Sequence, residues 1–169
     1  YEYGEGMYEE YWEDANMTAA VYAQGRPIRV TNTIFRNNTS RETMYGGEGG
    51  NSGALNLVSS RGTVIDNCLF SGNRGYGAGA VVMAGGEVEI TNSRFLNNHS
   101  FYNGGAISGS YNYYSYDDSR PNVLTMKNCL LLGNRAVYDY SDLYMYYFQT
   151  NLYNVTIANG SSRDGRSVY

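Results

Sequence analysis

Short runs of alternating apolar and polar residues recur along the chain, and most of them are followed closely by Asn or Gly. Because side chains alternate between the two faces of a strand, this period of two is typical of β-strands with one buried face. The runs are Ile28-Arg29-Val30-Thr31, Thr63-Val64-Ile65-Asp66, Val88-Glu89-Ile90-Thr91, Leu124-Thr125-Met126-Lys127 and Asn151-Leu152-Tyr153. No segment has the period of an amphipathic helix. The pattern therefore predicts an all-β protein.

The predicted strands belong to a repeat of 25 or 26 residues. In five segments a bend Asn precedes a small residue, an apolar anchor and then Asn or Gly; the anchors are Phe35, Phe70, Phe95, Leu131 and Ile157. Successive anchors are 35, 25, 36 and 26 residues apart, which places insertions near 39–51 and 108–122. A second motif, Gly-Ala followed by an aliphatic residue, lies ahead of most anchors.

Three short strands per repeat predict a parallel β-helix of about five coils, in which equivalent residues of successive coils form columns. We expect residues 1–17 to form an acidic, Tyr-rich arm, 18–160 the β-helix, and 161–169 a polar tail. Asn tolerates a left-handed backbone, and its amide can bond the same amide one coil away. The bend Asn column therefore predicts a hydrogen-bonded ladder of Asn32, Asn67, Asn92, Asn128 and Asn154.

The repeat carries a family resemblance. Phe35-x-x-Asn38, Phe70-x-x-Asn73 and Phe95-x-x-Asn98 alternate with Gly104-Gly105-Ala106-Ile107 and its variants. This alternation, over about residues 18–160, resembles the FxxN and GGAI repeats of chlamydial-type polymorphic outer membrane proteins and similar autotransporter passengers. The resemblance implies a right-handed β-helix and a secreted, adhesive surface. The last two anchors of this chain are not Phe, and the last coil also lacks the Gly-Ala turn.

The two cysteines occupy one column. Cys68 and Cys129 follow the bend Asn in the second and fourth coils, with Ser93 between them. Neighbouring strands lie about 4.8 Å apart, so two coils separate the cysteines by roughly 9.6 Å, beyond the approximately 7 Å that a disulfide tolerates between Cα atoms. The column predicts two free, buried thiols with a structural role.

Composition narrows the possible functions. With 16 acidic and 12 basic residues the net charge is −4, so we expect no nucleic-acid partner. The longest apolar stretch, residues 78–84, is shorter than the roughly 20 residues of a membrane span. One His and two Cys cannot build a metal site of His and Cys ligands, and we expect no cofactor. Asp117, Asp118, Asp139 and Asp142 suggest Ca²⁺, but solvated loop acids are the preferred interpretation.

Tyrosine is the most prominent chemical feature, with 19 copies. One cluster lies in the acidic arm, one in the second insertion, whose Tyr, Ser, Asn and Asp resemble a binding paratope, and one in the fifth coil. The candidate binding and assembly residues are Tyr3, Tyr8, Tyr11, Trp12, Tyr111, Tyr113, Tyr114, Tyr116, Tyr138, Tyr140, Tyr144 and Tyr146. Tyr offers a large, rigid contact area with a hydroxyl group to hydrogen-bond.

An aromatic last coil without a polar cap predicts that something covers it. We expect a secreted, non-enzymatic subunit of an extracellular filament or surface layer, which self-associates head to tail through its Tyr-rich ends and arm. The alternative is an adhesin that binds a glycan or another cell-surface ligand through residues 111–118; a polysaccharide-acting enzyme is the third possibility. The chain begins at Tyr1 rather than Met, which fits either a processed protein or an excerpt.

Overall fold

The computed structural model describes residues 19–40, 52–110 and 120–169, and all regular structure in these ranges is β-strand. The chain makes five successive passes through the same set of strand positions. Pass 1 contains β1 (Val21–Gln24), β2 (Arg29–Thr31) and β3 (Ile34–Arg36). Pass 2 contains β4 (Leu55–Val58), β5 (Thr63–Asp66), β6 (Leu69–Ser71) and β7 (Arg74–Gly75). Pass 3 contains β8 (Val81–Ala84), β9 (Glu87–Thr91), β10 (Arg94–Leu96) and β11 (His99–Ser100).

The last two passes have longer strands. Pass 4 contains β12 (Ile107–Ser110), β13 (Asn122–Leu132) and β14 (Arg135–Ala136). Pass 5 contains β15 (Leu143–Met145) and β16 (Phe148–Ala158). β13 and β16 each continue through the bend that separates β2 from β3 in pass 1, so one strand spans two positions there.

Each strand pairs in parallel with its equivalents in neighbouring passes, which confirms the predicted all-β, parallel class. The first sheet has the order β1-β4-β8-β12-β15. The second has the order β2-β5-β9-β13-β10-β6-β3, with β16 on β13, and the third has the order β14-β11-β7. Because β13 joins the two halves of the second sheet across the bend, that sheet curls on itself.

The apolar anchors form one interior file, as predicted. Phe35 pairs with Phe70, Phe70 with Phe95, Phe95 with Leu131, and Leu131 with Ile157. The three Phe rings are stacked nearly parallel, with centroids 4.9 and 4.7 Å apart. In-register pairing therefore converts the sequence repeat into a continuous aromatic and aliphatic core.

The bend Asn residues all adopt a left-handed backbone, with φ between 50° and 55°. Amide-to-amide bonds join three of the four successive pairs, at 2.7 Å for Asn67 to Asn32, 3.3 Å for Asn128 to Asn92 and 2.9 Å for Asn154 to Asn128. These side chains are exposed, so the ladder lies on the outer surface.

The predicted bond between Asn67 and Asn92 is wrong. The Nδ2 of Asn92 donates to Oδ1 of Asp66 at 2.8 Å, and the Thr91 hydroxyl donates to the same oxygen at 2.6 Å. These bonds, from Thr91 first and then Asn92, lower the pKa of Asp66. A carboxylate is a stronger acceptor than an amide, which explains why it takes the donor at this step.

A second Asn ladder, buried inside the fold, was not predicted. It consists of the Asn that ends each Phe-x-x-Asn motif and its equivalent in pass 4: Asn38, Asn73, Asn98 and Asn134. Oδ1 of Asn98 accepts both the backbone N–H and the Nδ2 of Asn73, each at 3.0 Å. Its own Nδ2 donates to the Phe70 carbonyl at 3.0 Å. The ladder therefore satisfies polar groups that have no access to water.

Both cysteines are free and buried, as predicted. Cys68 and Cys129 lie in one column with Ser93, whose hydroxyl accepts the backbone N–H of Cys68 at 3.1 Å. Burial raises the pKa of both thiols. The column tolerates Ser and Cys alike because both are small and can donate to a nearby carbonyl.

Residues 161–169 lie along the last two passes. Ser161 bridges to Arg135 in parallel, and Val168 bridges to Leu143. The tail thus follows β14 and β15, whereas β16 has no strand on its far side among the described residues. In the same ranges no helix is long and apolar enough to cross a membrane.

We expect Asn98→Ala to lower the free energy of unfolding by about 3 kcal/mol, because it leaves two buried donors of Asn73 without an acceptor. Urea unfolding followed by circular dichroism measures this loss. The control is Asn92→Gly, which removes an exposed amide and keeps the left-handed bend; its expected loss is below about 1 kcal/mol. Equal losses would show that the buried ladder has no special role.

We expect both thiols to resist Ellman's reagent at pH 8 in the folded protein and to react fully after unfolding in guanidinium. Burial blocks access and, by raising the thiol pKa, reduces the thiolate fraction that reacts. Absorbance at 412 nm follows the reaction. Rapid labelling of either cysteine in the native protein would contradict the burial of that column.

Candidate functional site

The end of the stack at pass 5 carries a cluster of tyrosines. The terminal tyrosine cluster consists of Tyr140, Tyr144, Tyr146, Tyr147 and Tyr169. In β15, Leu143 and Met145 face the core, so Tyr144 between them faces outward. The left-handed backbones of Tyr140 and Tyr147, at φ 57° and 59°, turn the chain on either side of β15 and bring their rings to the same corner.

Ring contacts connect the whole cluster. Centroids are 5.6 Å apart for Tyr140 and Tyr144, 5.5 Å for Tyr144 and Tyr169, and 4.2 Å for Tyr146 and Tyr147. Burial raises the pKa of Tyr144, so its phenol stays neutral at physiological pH. The cluster is an aromatic surface with hydroxyl groups at its edge, which is suited to contact with another molecule.

A second aromatic file, the tyrosine column, consists of Tyr76, Tyr102 and Tyr138. Tyr76 and Tyr102 stack at 5.9 Å, and Tyr138 lies 5.6 Å from Tyr102. The backbone N–H of Arg163 donates to the Tyr138 carbonyl at 2.8 Å, so Arg163 takes the next place in this file. Its guanidinium carbon lies 5.0 Å from the Tyr138 ring centroid, a cation–π contact that closes the column.

The tail meets these aromatic groups through charged side chains. Arg163 forms ion pairs with Asp139 at 3.6 Å and Asp164 at 3.1 Å. Nη1 of Arg166 donates to the Tyr140 hydroxyl at 3.2 Å. The ion pairs join side chains that are at least partly exposed, so they hold the tail only weakly.

Strand edges at both ends of the stack are uncovered among the described residues. β16 is 11 residues long and contains no charged residue and no Pro. Its Leu152 continues the interior file of Met126, yet 39% of its surface is exposed, because no further pass covers it in the described residues. At the opposite end, Ile34 of β3 is 62% exposed. The apolar interior is therefore open at the β16 end.

The buried ladder ends on a carboxylate. Position 160, where the ladder would continue, is Gly, and a Cβ there would overlap Oδ2 of Asp142. Oδ1 of Asp142 accepts the Nδ2 of Asn134 at 2.9 Å, and Oδ2 accepts the Ser141 hydroxyl at 2.7 Å. Asp142 is 0% exposed, so the expectation of a solvated loop acid is wrong for this residue. A carboxylate accepts without donating, which ends a one-directional ladder.

Of the predicted site residues, the structure brings Tyr140, Tyr144 and Tyr146 together and places Tyr138 in the separate tyrosine column. The remaining candidates lie outside the described residues: Tyr3, Tyr8, Tyr11, Trp12, Tyr111, Tyr113, Tyr114 and Tyr116. Asp117 and Asp118 lie outside them as well.

Sequence reasoning missed several contributors to these surfaces. Tyr76 and Tyr102 are 26 residues apart, so the repeat period itself could have revealed the tyrosine column. Tyr169, Arg163 and Arg166 also lie 25 or 26 residues after Tyr144, Tyr138 and Tyr140, so the same period could have revealed their contacts. In the described residues no group of three or more His, Cys, Asp or Glu is placed to hold a metal ion.

Comparison of the chain with protein-family models, with curated proteins and with solved structures gives no match. The function proposed below therefore rests on the geometry of this chain and on the resemblance of its repeats.

Asp142→Asn is expected to remove a loss of stability that the wild-type protein shows as the pH rises. Burial raises the pKa of Asp142, although the bonds from Asn134 and Ser141 oppose this. Below the ordinary carboxyl pKa both states are protonated; as pH rises through the higher folded pKa, the folded protein must hold a buried charge and loses stability. The melting temperature of Asp142→Asn relative to that of the wild type should therefore rise from pH 3 to pH 8, which melting curves over this range measure.

Asp66→Asn is the control, for which we expect the opposite dependence of the melting temperature on pH. The bonds from Thr91 and Asn92 lower the pKa of Asp66, so its ionised form stabilises the fold above the ordinary carboxyl pKa and this contribution is lost in acid. Asp66→Asn should therefore lower the melting temperature at pH 7. If the melting temperatures of both variants, each taken relative to the wild type, change in the same direction as the pH rises, the proposed role of Asp142 is wrong.

Proposed function

We propose that this chain is a non-enzymatic structural protein, a parallel β-helix that assembles end to end into an extracellular filament or surface layer. The observation that carries the proposal is the edge of β16 (Phe148–Ala158), where no described residue covers the strand or the apolar interior beside it. The extracellular location and the right-handed coil follow the resemblance to polymorphic outer membrane protein repeats.

The solenoid architecture is supported by the register of the strands. The anchor column of the core holds an apolar residue in every described pass, as Phe35, Phe70 and Phe95 show. In repeat proteins of this kind each unit buries its surface only against its neighbours, so the end units remain incomplete. An incomplete end unit favours contact with a further copy or a capping segment.

The edge of β16 supports assembly more directly. Soluble proteins usually protect exposed edge strands with Lys, Pro, bulges or covering segments, because a free row of N–H and C=O groups pairs with other chains. β16 has none of the charged residues or Pro that provide this protection. An uncharged edge of 11 residues above an open core is therefore suited to strand addition.

The tyrosine surfaces support a structural role. Tyr144 and Tyr146 lie beside the end of the stack, where a neighbouring copy or a cell-surface ligand would meet them. Aromatic rings with hydroxyl groups contribute strongly to interfaces because they bury area at low cost in side-chain entropy.

Leu152→Pro is expected to abolish assembly. The amide of Val64 donates to Ile28 of the preceding pass, and amides alternate in direction along a parallel strand. The next column, which ends at Leu152, therefore directs its N–H groups toward the following pass. Pro removes that donor at the free edge and leaves the bonds to β13 in place. Sedimentation velocity and negative-stain electron microscopy of the purified chain measure the result.

The matched control is Leu152→Ala, which loses the same packing on Met126 but keeps the amide, and it should still assemble. Melting curves verify that both variants are folded. A wild-type chain that stays monomeric at high concentration would overturn the assembly proposal and favour the adhesin. Turnover of a polysaccharide would instead favour the enzyme.

A further inference from the structure

We infer that tail residues 166–169 occupy the place of the start of the first pass of a second copy, so that copies join in register only after the tail leaves this place. The inference rests on the proposed function and specifies the partner and the register of the contact. The partner is a second copy of this chain, with its Asn32 over Asn154.

The register of the first sheet carries the inference. One column runs through Val21, Leu55, Val81, Ile107 and Leu143, and Val168 takes the next position by its parallel bridge to Leu143. Val21 begins this column, so the Val21 of a second copy continuing the stack would need the position that Val168 holds.

The backbone bonds of the tail reproduce those between passes. Ala106 and Ile107 both donate their N–H groups to the Asp142 carbonyl, at 3.1 and 2.9 Å. Asp142 and Leu143 in turn donate to the Ser167 carbonyl, at 3.1 and 3.0 Å. The tail is therefore bound as a sixth pass would be, but only over the first sheet.

The tail does not cover the second sheet, whose columns fit the first pass of another copy. At each step a bend Asn donates its backbone N–H forward, as Asn32 does to Asp66 at 3.1 Å and Asn67 to Thr91 at 3.1 Å. By the same register, Asn154 would donate to the Thr31 carbonyl of the second copy. Asn154 and Asn32 have matching backbones, with φ 51° and 53°, so the bend continues without strain.

The amides that point back toward the preceding pass also fit this register. Leu69 donates back to the Thr33 carbonyl at 2.9 Å, and Arg94 donates back to the Cys68 carbonyl at 2.9 Å. The equivalent bond at the junction runs from Ile34 of the second copy to the Val155 carbonyl. The exposed Ile34 would then lie beside Thr156, and Phe35 would cover Ile157.

The tail has the properties of a displaceable cover. Val168 and Tyr169 remain exposed, and the tail carries the charges that β16 lacks, on Arg163, Asp164 and Arg166. Its contacts are a few backbone bonds, exposed ion pairs and ring contacts, which are the features of a segment of low local stability.

A disulfide that locks the tail tests the inference. Leu143→Cys with Val168→Cys places two thiols in adjacent strand positions, about 4.8 Å apart and within disulfide range. The background is Cys68→Ser with Cys129→Ser, which Ser93 shows to be acceptable in that column. Oxidised protein should lose all species larger than the monomer in sedimentation velocity, and dithiothreitol should restore them. The same molecule in two redox states is its own control for stability.

The register is tested in the same background on a chain ending at Ser161. Ile34→Cys with Thr156→Cys should form intermolecular disulfides, whereas Arg36→Cys with Thr156→Cys, two residues out of register, should not. Assembly of the oxidised, locked protein, or crosslinking of the slipped pair alone, would overturn the inference and leave the proposed function standing. No assembly of the wild-type, reduced or truncated chain would overturn both.

Discussion

In-register hydrogen bonding between successive passes is the constraint on which the rest of this structure depends. Each residue pairs with its equivalent one pass away, so its side chain lies on a residue of its own column. Residues of one column must therefore pack against or hydrogen-bond with one another. Phe70 stacks on Phe35 and Phe95, and Asn98 bonds Asn73 and Asn134. Because each residue has two such neighbours, one residue that does not fit its column disturbs two contacts.

The same constraint leaves hydrogen-bonding groups without a partner where a column ends. In the buried ladder each Asn donates to the next pass and accepts from the previous one, so the last member would keep a donor without an acceptor. Oδ1 of Asp142 accepts the donor of Asn134, and Gly160 leaves room for the carboxylate. The solution places an acid where water cannot reach it, and burial accordingly raises its pKa.

Much of the fold could be predicted from sequence because the repeat is local and periodic. Phe35, Phe70 and Phe95 recur in phase with the bend Asn residues, and stacking follows from the period. Asn92 and Asn98 recur with the same period, yet one is exposed and the other buried. Which of them faces inward depends on how the bends direct the chain, and a single sequence does not encode that in its spacing. Val168 follows Leu143 by 25 residues, which is the repeat period, but the tail lacks the Gly-Ala and bend Asn motifs, so its pairing with Leu143 was not predicted.

The tail covers only part of the end of the stack, namely the edge of the first sheet. If the tail were a complete cap, it would be expected to cover β16, where Leu152 leaves the interior open. Instead it pairs along the first sheet, beside the terminal tyrosine cluster. On the proposed assembly the tail covers the edge of the first sheet, while the edge of the second sheet, which no described residue covers, is the part that a partner joins. Displacing the tail exchanges one set of backbone bonds for an equivalent set, so the gain on joining comes mainly from the newly covered second sheet.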